Sequence, residues 1–380
     1  MKLLMIIDSL SLGGAERVLA TLSLVAPAAG FHFGVQVLSL PGSSRSVMEP
    51  VLEDAGVPVS YLSIRRLADP RALPRIVRAI RASEADVVHA HLEYAAALVP
   101  PAARLAKRPA VSTFHHVAVP VSRKEAVKER LAVNVANRGA GVVFVSRASF
   151  DSFATVYGGP RPNWRVVENG VDLGRFSDAP DTMPPELGIA PGAPVVTIVG
   201  ALRWRKGHHV ALASWPEVLR RFPDARLLIV GDGPQASALR EQAGSLGVAG
   251  SVVFAGMRTD VARLMRASQL LALPSQHEAL PTTLMEAAAC GRPVIASDVD
   301  GIPEVVADGE TGLLVPWDGQ ESFAEAVIAL LADEPRRREM GLKARALAEE
   351  RFGARRWAER LYEVYAGVAR AGEVPAETLA

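Results

Sequence analysis

Glu278 and Glu286 stand eight positions apart in a run that opens at Pro274 and closes at Gly291. The run follows the apolar stretch Leu270–Leu273, which reads as a buried strand, and turns helical before Gly291 and Pro293 stop it. Glu278 is therefore expected on a loop at a strand's C-terminal end, and Glu286 in the first turn of a helix. The backbone N–H groups of the helix start lie free between them. Two carboxylates flanking an anion hole suit a ligand with hydroxyls at both ends and phosphate in the middle, the make-up of a sugar nucleotide. Thr283 to Glu286 also spell a capping box, in which Glu286 would only bond the first amides of its own helix. From these residues alone both readings stand.

Arg203 and Lys206 follow another buried run, Val195–Leu202, and precede a helical stretch. A planar guanidinium and a point-charge ammonium at a strand's edge suit a departing diphosphate, whose charge grows in the transition state. Two solvated basic residues would look the same in isolation. Gly13 and Gly14 sit between the first strand and a helix starting near Ala15, where glycine lets backbone approach a substrate oxygen or simply makes a tight turn. His115, with His116 beside it, closes the strand Ala110–Phe114, and His89 and His91 close the strand before it. An imidazole there could donate to a sugar hydroxyl or shuttle a proton, though a lone strand-end His is more often structural. His89 reads as buried and His91 as facing the acceptor.

These residues need strands to carry them. Short β-branched runs alternate with amphipathic helical stretches throughout: Leu3–Asp8, Gly34–Leu40, Asp86–Ala90, Ala110–Phe114 and Gly141–Ser146, then Val195–Leu202, Ala225–Val230, Ser251–Ala255, Leu270–Leu273, Pro293–Ser297 and Leu313–Val315. That rhythm implies an α/β architecture, two doubly wound parallel sheets with crossover helices. Residues 1–178 and 194–353 form the two expected domains, the Pro- and Gly-rich segment 179–193 the linker. The remainder, 354–380, begins with an apolar-faced helix, Ala354–Ala369, expected to pack back on the first domain.

Taken in order, these motifs resemble the retaining, nucleotide-sugar-dependent glycosyltransferases of family four, whose fold is GT-B: two Rossmann-like domains facing across a cleft. The resemblance runs through Gly13-Gly14-Ala15-Glu16-Arg17, His115, Asn169-Gly170-Val171-Asp172, Gly200 to Gly207, Gly231 to Pro234, the Glu278/Glu286 pair, Gly301 to Glu304 and Gly309 to Pro316. Each motif is weak alone, and together they are collinear over nearly the whole chain. The resemblance implies a donor site made of Gly14, Arg203, Lys206, Glu278, Ala279, Leu280, Pro281, Thr282 and Glu286. Arg203 and Lys206 would hold the diphosphate, Glu278 the sugar and Glu286 the ribose. The acceptor side would comprise Gly13, Gly14, Arg17, His91, His115 and His116, with His115, Arg203, Lys206 and Glu278 as catalytic candidates. Two departures stand out: Ala279 where the family commonly has Gly, and Asp300 where it usually has Gly.

The expected partners are a nucleotide diphosphate sugar, UDP-sugar by default, and a glycan, lipid-linked or small-molecule acceptor, in cell-envelope polysaccharide biosynthesis. No separate cofactor is implied. Asp298-Val299-Asp300 spells a metal-binding Asp-x-Asp, but no companion carboxylates offer a full oxygen shell, so no metal is expected. Another enzyme on the same fold, a phosphorylase or sugar-nucleotide epimerase, or a non-catalytic sugar-nucleotide-binding protein, would share most of these residues. A dinucleotide dehydrogenase is disfavoured, since neither half shows Gly-x-Gly-x-x-Gly after its first strand.

Composition narrows the setting. With 42 Lys and Arg against 41 Asp and Glu, no basic excess argues for nucleic acid. The single cysteine, Cys290, cannot form an internal disulfide, which fits a reducing compartment. No apolar run approaches the roughly 20 residues of a membrane span, and a cytoplasmic location is the simplest reading. The helix Arg123–Arg138 carries five basic residues and could lie on the inner face of the plasma membrane. Its Glu125 and Glu129 favour an ordinary solvated helix instead.

Overall fold

The computed structural model describes residues 1–11, 13–39, 48–64, 69–119 and 122–373. It divides into two compact units, Met1–Gly170 with Ala354–Ala380, and Val171–Gly353.

The first unit is built on a seven-stranded parallel sheet. Its strands are β1 (Lys2–Ile7), β2 (His32–Val37), β3 (Val59–Tyr61), β4 (Val87–His91), β5 (Ala110–Phe114), β6 (Gly141–Phe144) and β7 (Trp164–Val166). Their order is β3-β2-β1-β4-β5-β6-β7, so the winding reverses between β1 and β4. The second unit has six parallel strands: β8 (Val195–Val199), β9 (Arg226–Val230), β10 (Val252–Gly256), β11 (Leu270–Leu273), β12 (Val294–Ser297) and β13 (Gly312–Val315). Their order, β10-β9-β8-β11-β12-β13, reverses between β8 and β11. The central strands are buried along their whole length, as parallel strands are when helices cover both sheet faces. In the second unit Trp215, Phe323, Leu330 and Ile229 share one dry core, which is the main source of its stability.

Two strands escape a sequence reading. β3 and β7 are three residues long, too short to show alternation. β8 is shorter than its apolar run, since the strand gives way at Gly200.

The chain divides elsewhere than its composition suggests. Segment 179–193 belongs to the second unit, tied down by two arginines, while a third holds the residues just before it. Arg258 pairs with Glu186 at 2.8 Å, Arg263 donates to the Thr182 carbonyl at 2.7 Å, and Arg266 donates to the Ser177 carbonyl. Pro- and Gly-rich composition there reflects an irregular path along a surface. The actual junctions are Gly170/Val171 and Gly353/Ala354. A Cβ on Gly170 would sit 2.8 Å from both Ala354 Cα and Trp357 Cβ, so only glycine fits. The final helix, Ala354–Glu373, buries Trp357, Ala358, Leu361 and Tyr365 among Leu3, Met5, Ile7, Val18 and Phe31 of the first unit.

Candidate active site

In open parallel sheets the loops at a reversal of winding diverge and leave a crevice at the strands' C-terminal ends. In the second unit that place is flanked by the loops after β8 and β11, which carry Arg203, Lys206 and Glu278.

The two loops are laced together. Gly207 takes φ +70°, and a Cβ there would lie 1.7 Å from the Pro274 carbonyl oxygen. The Gln276 amide donates to the Arg205 carbonyl at 2.8 Å. Lys206 Nζ then reaches Glu278 Oε1 at 2.5 Å, and Ser275 Oγ donates to the same oxygen at 2.8 Å. Arg203 opens the short 3-10 turn Trp204–Lys206 and is exposed.

The helix that follows spans Thr282–Ala289, with Pro281 in the cap position and no side-chain cap. By helix geometry the amides of Thr282 and Thr283 have no intrahelical acceptor. The helix begins ahead of Thr283, so that residue is no N-cap and the capping box does not form. Glu286 falls at the fifth helical position, in the second turn and not the first, and is buried at 7% exposure. Ala279, Leu280 and Pro281 form the buried link between Glu278 and this helix. Ala279 does not adopt a left-handed backbone, so the glycine common in the family is not demanded here.

Asp300 is left-handed, at φ +46°, the conformation for which glycine is the easy choice and Asp a tolerated one. Its Oδ2 accepts from the Glu278 amide at 3.2 Å and lies 3.0 Å from His277 Nδ1. The Asp-x-Asp segment thus braces the Glu278 loop.

The first unit places its candidates around its own reversal. Asp8, just past β1, accepts from the amides of Tyr94 and Ala95 at 3.1 and 2.8 Å. Burial pushes its carboxyl up to about 7, against the pull of those two amides. Gly13 precedes the helix Gly14–Val25, and a Cβ on it would strike the Glu16 carboxylate at 2.2 Å. Glu16 is buried and accepts from Ser11 Oγ at 2.6 Å; burial raises its pKa too. Gly14 has open space about it and is exposed, and Arg17 is half-buried one turn on.

The histidines take three different sets of partners. His89 Nδ1 lies 2.7 Å from Tyr365 Oη of the terminal helix, and its Nε2 lies 2.7 Å from Thr113 Oγ1. His91 Nδ1 lies 3.0 Å from His115 Nε2. Burial drives all three toward the neutral form, His89 down to about 3 and the others well below the usual value. His91, read from sequence as acceptor-facing, is 3% exposed and committed to His115. His116 instead pairs with Glu129, whose other oxygen accepts from Tyr157 Oη. Glu93, His116 and Glu129 are the one group among the described residues with three ligand atoms within 4.8 Å. One Glu129 oxygen already bonds the His116 imidazole and the other the Tyr157 hydroxyl, so the group is satisfied by its own hydrogen bonds.

Asp8, Glu16, Tyr365, His277 and Glu129 are absent from the sequence-derived site. An acid ending a buried strand beside a glycine turn marked Asp8, and Glu16 lies inside the Gly13–Arg17 motif; nothing local marked the other three.

Comparison with known proteins follows the same lines. The family model described as group 1 glycosyl transferases matches residues 181–347, and that described as glycosyltransferase family 4 matches residues 12–175. The chain is 33% identical over 319 residues to the GDP-mannose-dependent alpha-(1-6)-phosphatidylinositol monomannoside mannosyltransferase of Mycolicibacterium smegmatis, covering 79% of this chain and 81% of that one. It is 33% identical over 372 residues to the phosphatidyl-myo-inositol mannosyltransferase of the same organism, covering 95% and 92%. The crystal structure of Anabaena HepE in complex with UDP-glucose matches with a TM-score of 0.84 and 26% identity, over 97% of this chain and 100% of that one.

Proposed function

Because this chain belongs to the family 4, group 1 glycosyltransferases, we propose that its second unit holds a nucleoside diphosphate sugar and its first unit receives an acceptor hydroxyl. The observation that carries this division is the Lys206–Glu278 pair at the β8/β11 reversal, beside the open amides of Thr282 and Thr283. A cation and a helix start facing one crevice stabilise a leaving diphosphate electrostatically. Arg203, exposed beside Lys206, adds a second cation. When a diphosphate arrives, Lys206 exchanges its carboxylate partner for phosphate, and Glu278 is released to accept from sugar hydroxyls. Glu286 takes the ribose. Transfer with retention proceeds by attack on the face the diphosphate leaves, the departing phosphate accepting the acceptor's proton, so no enzyme nucleophile is required. Gly14 and His115 serve the acceptor side.

The acceptor is an amphiphile presented at an anionic membrane. On the helix Arg123–Ala136, Val127 and Leu131 are 64% and 46% exposed, one turn apart, with Arg123, Lys124 and Arg130 exposed around them. The two acids that argued for a plain solvated helix do not share that face. Glu129 is buried against His116 and Tyr157, and Glu125 accepts from Ser122 Oγ at 3.0 Å. An apolar pair ringed by cations suits anionic headgroups. Among the described residues no helix is long and apolar enough to cross a membrane.

Thermal melting with UDP, GDP, ADP and dTDP and their sugars, without added metal, tests the donor site. A rise of several degrees with one nucleotide, lost in Lys206→Ala, is expected, since a ligand stabilises the state it binds. Uridine, as in the HepE complex, and guanosine, as in the mannosyltransferase donor, are the bases to separate first. No shift with any nucleotide overturns the reading. Turnover that needs inorganic phosphate, or no acceptor at all, points to a phosphorylase or an epimerase.

A further inference from the structure

We propose that His277, held by Asp300, is a second sugar-selecting side chain beside Glu278, an inference that rests on the donor-site reading above. Glu278 is gripped by its backbone from both sides: its amide donates to Asp300 Oδ2 at 3.2 Å, and its carbonyl accepts from the Gly301 amide at 2.9 Å. A Cβ on Gly301 would lie 1.6 Å from the Ala279 carbonyl oxygen, so the two segments meet with no space between. His277 Nδ1 meets that same Asp300 oxygen at 3.0 Å. A carboxylate oxygen can only accept, so the imidazole proton stays on Nδ1. In the neutral ring Nε2 then carries a lone pair for a ligand hydroxyl. His277 is only partly covered, with 29% of its side chain exposed, and it adjoins Glu278 in the loop assigned to the sugar.

The backbone of Asp300 supports a purpose. A left-handed residue with a Cβ is strained where glycine is not, and such strain persists when the surroundings hold it in place. Here one carboxylate oxygen fixes both the loop that carries Glu278 and the tautomer of His277. Asp300 is thus a positioning residue and His277 the group that meets the ligand.

The experiment measures affinity for the nucleoside diphosphate alone, then KM and kcat for its sugar and for epimers of that sugar. Asp300→Gly relieves the strained backbone and removes the acceptor; Asp300→Asn keeps an oxygen in place and tolerates the left-handed conformation. His277→Ala removes the ring. In His277→Ala and Asp300→Gly, nucleotide affinity should hold, KM for the sugar donor should rise about tenfold, the upper end of what one neutral hydrogen bond contributes, and selectivity between epimers should fall. Asp300→Asn should restore most of both. Wild-type KM and selectivity in His277→Ala and Asp300→Gly, with nucleotide binding intact, overturn this proposal. Wild-type protein that binds no nucleoside diphosphate overturns the donor-site reading beneath it.

Discussion

His91 Nδ1 and His115 Nε2 lie 3.0 Å apart across neighbouring strands β4 and β5, so the two imidazoles share one proton. The outer atoms, His91 Nε2 and His115 Nδ1, have no hydrogen-bond partner among the described residues. With both rings neutral, these outer nitrogens have opposite character: when one is a donor the other is an acceptor. Under the acceptor-side role proposed for His115, His91 sets whether its outer nitrogen donates or accepts. His91→Phe should lower turnover by about 100-fold, the lower end of general acid–base effects, with donor KM unchanged. Unaltered turnover would reduce the pair to packing.

Lys206→Ala and Glu278→Ala should each cut kcat by about 10²–10³-fold, the scale of one lost electrostatic contact to a developing charge. Lys206 is partly exposed and Glu278 keeps its bond from Ser275 without it, so melting temperatures should fall far less than activity does. Loss of fold in step with loss of activity would assign the pair a structural role.

Gly207→Ala should be worse than its size suggests. It forces a Cβ into φ +70° and against the Pro274 carbonyl. The backbone strain alone costs about 1–3 kcal/mol, and relief would part the loops that bring Lys206 to Glu278. Chemical denaturation together with nucleotide binding checks this; a variant that melts and binds like wild type refutes the lacing.

Acid should destabilise the fold from about pH 6.5. His89 and His208 are depressed to about 3 and about 4 by burial, and His91 and His115 lie well below their usual range. The unfolded chain binds protons at these sites first, so their stabilisation is lost as pH falls through that window. Asp8 runs the other way. Its raised value, about 7, contributes stability that is present below its ordinary pKa and is lost as pH rises. Glu16, raised by burial as well, acts in the same sense; four histidines outweigh these two carboxyls, and Asp8→Asn should steepen the acid decline. Melting curves from pH 7.5 to 5 test it; a flat profile contradicts the burial of these rings.

Val127→Asp with Leu131→Asp should abolish sedimentation with vesicles of anionic lipid while leaving nucleotide-induced stabilisation intact. Equal binding by wild type and variant, or none by wild type, removes the membrane from the account.

Much of this was legible in the chain itself. Strand and helix periodicity marks both parallel sheets, and the carboxylates, cations and glycines of the proposed donor site lie within or beside strand-ending loops. A sheet's winding order then brings those loops together almost by necessity. Family membership follows from the same residues in order, because local spacing and backbone demands are written locally.

Three things were decided only by tertiary structure. Glu286 resembles a cap in sequence, yet the helix starts early enough to bury it in the second turn, since neighbouring packing sets where a helix begins. Glu129 counts as a surface acid by composition, but rotation of its helix turns it onto His116 and Tyr157. Tyr365 joins His89 from 276 residues away, and His277 meets Asp300 from 23. Such pairings depend on which strands neighbour each other and where the terminal helix docks. Those are long-range packing outcomes that no period of two or of 3.6 encodes.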